Sequence, residues 1–209
     1  MSKKTNSQTA CFVLPGGYQE ECRLDMQKDR RLVFLINGLA LCVFLIGGII
    51  GHLFVPIQTF YSMSEGMLMY FVRLAAVCGG MVLYIFLHEF VHGIFIKHYS
   101  GQKAQYGFTV LYAYAGSEAY FNKYQYFVIA LAPLAVWGIF LTGLLIFVPK
   151  SWFWIVYFIQ LANISGASGD LYVVWKIFGM RGDILIRDNG TDMIVYAPAQ
   201  EDGIEQESR

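Results

Sequence analysis

The chain has 209 residues, a formal net charge of zero, 56% hydrophobic residues and only 14% charged ones. An average soluble domain has about 45–50% apolar and about 25% charged residues. The composition is therefore shifted toward lipid, excludes a disordered chain and argues against a basic nucleic-acid binder. Cys11, Cys22, Cys42 and Cys78 show no paired spacing, which excludes a disulfide scaffold and a cysteine zinc finger.

In chain order, residues 1–31 read as a polar N-terminal tail, with 1–10 expected to be disordered. After Arg31 no Asp, Glu, Lys or Arg occurs before Glu65, so 32–54 is a spanning-length run, about 20 apolar residues being enough to cross the hydrocarbon core. It follows a long polar stretch and lacks a small-residue cleavage site, unlike a signal peptide. A second run, 67–96, contains Arg73, placed near the outer interface where it can snorkel. Residues 106–118, rich in Tyr, Val, Phe and Thr, predict a short hairpin with Gly116-Ser117 as its turn. Runs three and four cover 123–150 and 152–178, with Trp152 and Trp154 expected at the outer interface. Residues 183–196 predict a second hairpin around Asn189-Gly190, before a disordered 200–209.

The expected fold is an all-α membrane protein: four transmembrane helices, a short β-hairpin between helices two and three, and a C-terminal β-hairpin. The expected division is a tail (1–31), a four-helix transmembrane domain (32–180) and a C-terminal hairpin and tail (181–209). Lys3, Lys4, Arg23, Lys28, Arg30 and Arg31 precede the first run, Lys103 lies in the second loop, and Arg181, Arg187 and Arg209 follow the fourth, whereas the loop 55–66 has neither Lys nor Arg. Short-loop Lys and Arg favour the cytoplasm, so both termini are expected there.

Inside the second run stands His88-Glu89-Phe90-Val91-His92. Two His four apart share a helix face, so both imidazoles can hold one zinc while the intervening Glu meets the attacking water. Ionisable groups within a span are costly, and a divalent cation gives three of them a common partner. The plainer alternatives are interface histidines hydrogen-bonded to neighbours, or a haem pair. His52 and His98 stand outside the central span and suit the second poorly.

A catalytic zinc takes three protein ligands and keeps one position open. Asp170 ends Asn163-Ile-Ser-Gly-Ala-Ser-Gly-Asp170 in the fourth run. Counted from the outer ends of their runs, His88 lies about 32 Å deep and Asp170 about 27 Å, at about 1.5 Å per residue, so they meet near the cytoplasmic face. Gly166, Ser168 and Gly169 permit close helix approach or local unwinding at the metal. The alternatives are an Asp170 ion pair with Lys176 or Arg181, and Glu118 as the third ligand. Asn163, two turns before Asp170, suits either substrate binding or a helix–helix hydrogen bond. Pro133, in Ala-Leu-Ala-Pro, marks a kink beside the site. Gly93 leaves room for close packing, and Tyr112 and Tyr114 are expected to pack rather than to act.

The HEFVHG helix, the Tyr-rich hairpin, the ALAP helix and the NISGASGD segment resemble the DUF3267 family of membrane zincin peptidases over about residues 12–180. More distantly they are similar to site-2 proteases, in which an Asn, a Pro and Leu-Asp-Gly supply the third ligand. Here Leu171 follows Asp170, and no proline separates Asn163 from Asp170. The resemblance implies His88, His92 and Asp170 as zinc ligands, Glu89 as general base, Asn163 as the helix-four asparagine, and a bacterial cell membrane. The expected function is an intramembrane zinc metalloprotease acting on membrane-protein or peptide substrates, with the lipid bilayer as a partner. A non-catalytic, structural or regulatory zinc-binding membrane protein is the alternative. A transporter has little support from four helices without an internal repeat.

Overall fold

The computed structural model describes residues 9–25, 29–109 and 112–199. Helix α1 (Arg30–Phe54) starts where the Asp29 carboxylate accepts from the Arg31 and Leu32 amides at 3.1 and 3.0 Å. It ends before Pro56, which disfavours helix at the preceding residue. The short α2 (Gln58–Tyr61) leads to α3 (Met67–Ser100), whose 34 residues end at Gly101 in the left-handed conformation with φ 73°. Helix α4 (Lys123–Phe147) opens with a reciprocal Asn122–Gln125 capping box and carries Pro133 in its interior.

The fourth apolar run folds as two helices, α5 (Phe153–Gly166) and α6 (Ser168–Phe178), and not as the single span expected for 152–178. Gly166-Ala167-Ser168-Gly169 has weak helix propensity, and the Ser168 hydroxyl donates back to the Ser165 carbonyl at 2.6 Å. Among the described residues, three helices are long and apolar enough to cross a membrane: α1, α3 and α4. Their outward faces carry Phe34, Leu45, Leu53, Leu83, Phe86, Ile139 and Phe147, as a lipid-facing surface requires. Helix α5 packs on α1 through Gly47 and Gly51, where Leu161 and Tyr157 fill the space of the missing side chains and the Tyr157 hydroxyl donates to the Gly47 carbonyl at 2.7 Å.

The strands β1 (Tyr18–Asp25), β2 (Gln105–Phe108), β3 (Ala113–Asn122), β4 (Leu185–Asp188) and β5 (Asp192–Pro198) form one antiparallel sheet in the order β1-β5-β4-β3-β2. This corrects the all-α expectation in three ways. The two hairpins join in one sheet. The supposed tail supplies β1. Gly116-Ser117 lies inside β3, where Gly116 pairs with Gln105 and Ser117 with Asp188. The C-terminal hairpin turns at Asn189-Gly190 as expected, with the Asn189 side-chain oxygen accepting from the Thr191 and Asp192 amides at 3.0 Å each.

The sheet covers the helix ends where α3 and α6 finish and α4 begins. Ile96, Ala119, Phe121, Ile129, Val173, Ile177, Ile186 and Val195 form a buried core between them. Ala10, expected to be disordered, is buried and its amide donates to the Tyr99 carbonyl at 2.9 Å; the remaining disorder expectations, 1–8 and 200–209, lie outside the described residues. At the opposite end, Trp154 is buried and its indole N–H donates to the Val55 carbonyl at 3.1 Å. Arg73 does not snorkel. It is 1% exposed, donates to the Ser62 carbonyl at 3.2 Å and pairs with Glu65, so the loop before α3 neutralises the charge. All four cysteines are free.

Candidate metal centre

The i, i+4 spacing on α3 places Tyr84, His88 and His92 on one buried stripe. The imidazoles are each 8% exposed with centroids 4.9 Å apart, and donor atoms of His88, Glu89 and His92 lie within 4.8 Å of one another. The break at Ala167 puts Asp170 in the first turn of α6. Its Oδ2 lies 3.4 Å from His88 Nε2 and 3.7 Å from His92 Nε2. The depth count thus meets in space: His88, Glu89, His92 and Asp170 come together. Asp170 faces the imidazoles and not Lys176 or Arg181. Glu118 does not join them: its side chain is 53% exposed and lies 3.6 Å from Arg187.

Asn163 is completely buried, with its Nδ2 donating to the Leu134 carbonyl at 3.3 Å and its Oδ1 accepting from the Tyr84 hydroxyl at 3.0 Å. These are helix–helix hydrogen bonds, the second of the two readings left open by the sequence. They also fix a direction. The single Tyr84 hydrogen goes to Asn163, so at 2.7 Å the Tyr84 oxygen accepts from His88 Nδ1–H. His92 Nδ1 stands 2.9 Å from the Ile129 carbonyl, which can only accept. Both rings therefore place their Nδ1–H on these acceptors and turn Nε2 toward Asp170, the orientation needed by a metal ligand. Tyr84 and the Ile129 carbonyl went unrecognised in the sequence. Tyr84 stands one turn before His88 and was accessible to the same spacing argument.

A cavity of about 440 Å³ adjoins this cluster, walled by α1 at Val33, Ile36 and Asn37, by Tyr112 and the first residues of β3 (113–115), and by the β4–β5 turn. Glu89 lines it, together with Ala113, Tyr114 and Ala115 of β3. Tyr106 occupies the space over Gly93, which confirms the close packing expected there. At the cavity wall, Asp188 accepts from the Tyr126 hydroxyl and, at 2.8 Å, from the Gly190 amide. Burial raises the Asp188 carboxyl above its ordinary value of 3.8, against the opposing effect of those two bonds.

Two imidazole nitrogens facing one carboxylate oxygen, beside a cavity bearing a second carboxylate, fit a divalent zinc with an open side. The fold and the site together define a mostly helical, apolar chain with a His-Glu-His metal cluster. The family model DUF3267, described as "Putative zincin peptidase", matches residues 81–185, half of the chain, and spans Tyr84, His88, Glu89, His92, Asn163 and Asp170. The chain belongs to this family, and a zincin family implies zinc. The comparison with curated proteins found no match, and the comparison with solved structures found none either.

Proposed function

We propose that the protein is an intramembrane zinc metalloprotease that hydrolyses peptide bonds of membrane-associated substrates near the cytoplasmic face. The observation that carries this reading is the approach of Asp170 to both imidazole Nε2 atoms, with Glu89 on the adjoining cavity wall. His88, His92 and Asp170 would hold the metal, and Glu118 is left to the surface. When bound, zinc supplies Lewis-acid polarisation of the scissile carbonyl and acidifies water toward a pKa of about 7. Glu89 takes the proton of the attacking water and delivers it to the leaving amine. Tyr84 orients His88, and Asn163 acts through Tyr84, not on substrate. Residues 113–115 pair with β2 along one edge and line the cavity, so an unwound substrate segment would add to them as a strand, exposing amides that a helix hides. The chain would cross the cell membrane four times, α5 and α6 together making the fourth crossing, with both termini in the cytoplasm.

A zinc site of purely structural role would have a shell closed by protein. The cavity beside Glu89 favours catalysis instead. The test uses purified protein in lipid vesicles with an embedded peptide substrate, scored for zinc content and cleavage. Glu89→Gln should keep zinc and lose about 10²–10⁴-fold in rate. His88→Ala should lose zinc. Undiminished cleavage by Glu89→Gln would sink the mechanism, and full zinc in Asp170→Ala would move the third ligand elsewhere.

A further inference from the structure

Helix α4 continues through Pro133. In an uninterrupted helix the carbonyl of residue 129 accepts the N–H of residue 133. Proline has no N–H, so the Ile129 carbonyl lacks its helical donor. Ile129 is 5% exposed, and an unfilled carbonyl there would carry the penalty of a buried, unsatisfied acceptor. The group that fills it comes from another helix: His92 Nδ1, at 2.9 Å.

We infer that Pro133 is a positioning residue for the metal centre: by removing one backbone donor it frees the Ile129 carbonyl to hold His92 Nδ1–H, which turns Nε2 of that ring toward Asp170. The inference rests on the metal reading given above. The kink expected at this proline is a matter of shape, whereas the device described here is a vacated acceptor. Pro133 touches neither metal nor substrate. The arrangement parallels the one at His88, where Tyr84 supplies a side-chain acceptor, but at His92 the acceptor is backbone and its availability depends on a residue one turn away.

The experiment measures zinc affinity of the full chain in detergent, by competition with a chromophoric chelator, together with the ¹⁵N spectrum of the His92 imidazole. Pro133→Ala restores an N–H that competes for the Ile129 carbonyl. It should weaken zinc binding by about 10–100-fold, the range typical of lost outer hydrogen bonds to ligating histidines, and speed exchange of the Nδ1 proton. Replacing Pro133 by lactic acid, through nonsense suppression, removes ring and N–H together and leaves an ester. This variant should bind zinc nearly as tightly as wild type. An ester variant as weak as Pro133→Ala would mean that the ring and its kink matter instead, which overturns the inference. Unchanged affinity in Pro133→Ala overturns it as well, and leaves the metal reading standing. A wild-type chain without zinc affinity overturns both. Should Pro133→Ala not fold, the zinc-loaded wild type still decides: a His92 ring bound through Nδ1 contradicts the inference, and one bound through Nε2 with a proton on Nδ1 supports it.

Discussion

Tyr84 has one hydroxyl hydrogen, and Asn163 takes it. From that single allocation follows the tautomer of His88. Tyr84→Phe removes the acceptor for His88 Nδ1–H, and Asn163→Ala removes the group that aligns Tyr84. Each should weaken zinc binding by about tenfold, the lower end for partners of ligating histidines, and the double variant should lose little more than one of them alone because the two act in series. Equilibrium zinc titration checks this, and strict additivity would break the relay. The histidines, Glu89 and Asp170 were legible in the sequence for a geometric reason: two pairs of spacings, one along a helix and one along depth, bring them together. The Ile129 carbonyl was not legible, because every residue has a carbonyl and only Pro133, four positions on, signals that this one is vacant. Asn163 was legible as a buried amide but not in its target, since a helix position does not say which neighbour the side chain meets.

Helix and strand boundaries failed where local pattern and tertiary contact disagreed. Gly116-Ser117 resembles a turn, yet β3 runs straight through it. A side chain at Gly116 would meet the backbone of Asn189 and Gly190, so glycine is present to let the hairpin tip dock on β3. A side chain at Gly93 would meet the outer end of Tyr106, a residue 54% exposed and free to swing away. The two glycines therefore predict different costs. Gly116→Ala should destabilise by about 1–3 kcal/mol, as overpacking against immovable atoms does, and Gly93→Ala by less than about 1 kcal/mol. Thermal melts in detergent would rank them, and equal effects would refute the distinction. The same hairpin tip holds Asp188. Its carboxyl titrates above the unfolded value of 3.8, so the folded chain keeps a proton that the unfolded chain has released. Stability from this group is greatest below the unfolded value, declines as pH rises through the raised one, and is flat beyond it. Asp188→Asn should remove that slope from the melting temperature against pH. The strand β1 escaped notice because Tyr-Gln-Glu-Glu-Cys-Arg-Leu-Asp has the polarity of a tail; it is an edge strand, where charge is the ordinary protection against further pairing.

The whole molecule is constrained by one pairing. β1 precedes the first helix, β5 follows the last, and the two are hydrogen-bonded neighbours from Tyr18 with Pro198 to Asp25 with Asp192. Strands joined in one sheet lie on one side of a bilayer, so the chain between them must cross an even number of times. In the proposed arrangement α1, α3 and α4 would make three crossings, and α5 with α6 would make the fourth. At about 1.5 Å per residue their 14 and 11 residues measure about 21 Å and about 16 Å, each short of a hydrocarbon core of about 30 Å and together sufficient. The break that shortens them is the one that turns Asp170 onto the imidazoles, so the proposed crossing and the proposed metal site would depend on the same four small residues. The proposed placement of the sheet in the cytoplasm is supported by the lysines and arginines on its side and their absence from 55–66. With the four native cysteines replaced, single cysteines at Gln19, Lys103 and Ser64 test the arrangement with a membrane-impermeant maleimide. Ser64→Cys should react in intact cells, and Gln19→Cys and Lys103→Cys only after permeabilisation. Reaction of both sheet-side positions from outside, with Ser64→Cys protected, would invert the orientation and leave the parity argument intact. Reaction of Gln19→Cys and Lys103→Cys from opposite sides would mean that β1 and β2 do not share a compartment, and the sheet, the fourth crossing and the placement of Asp170 would fall together.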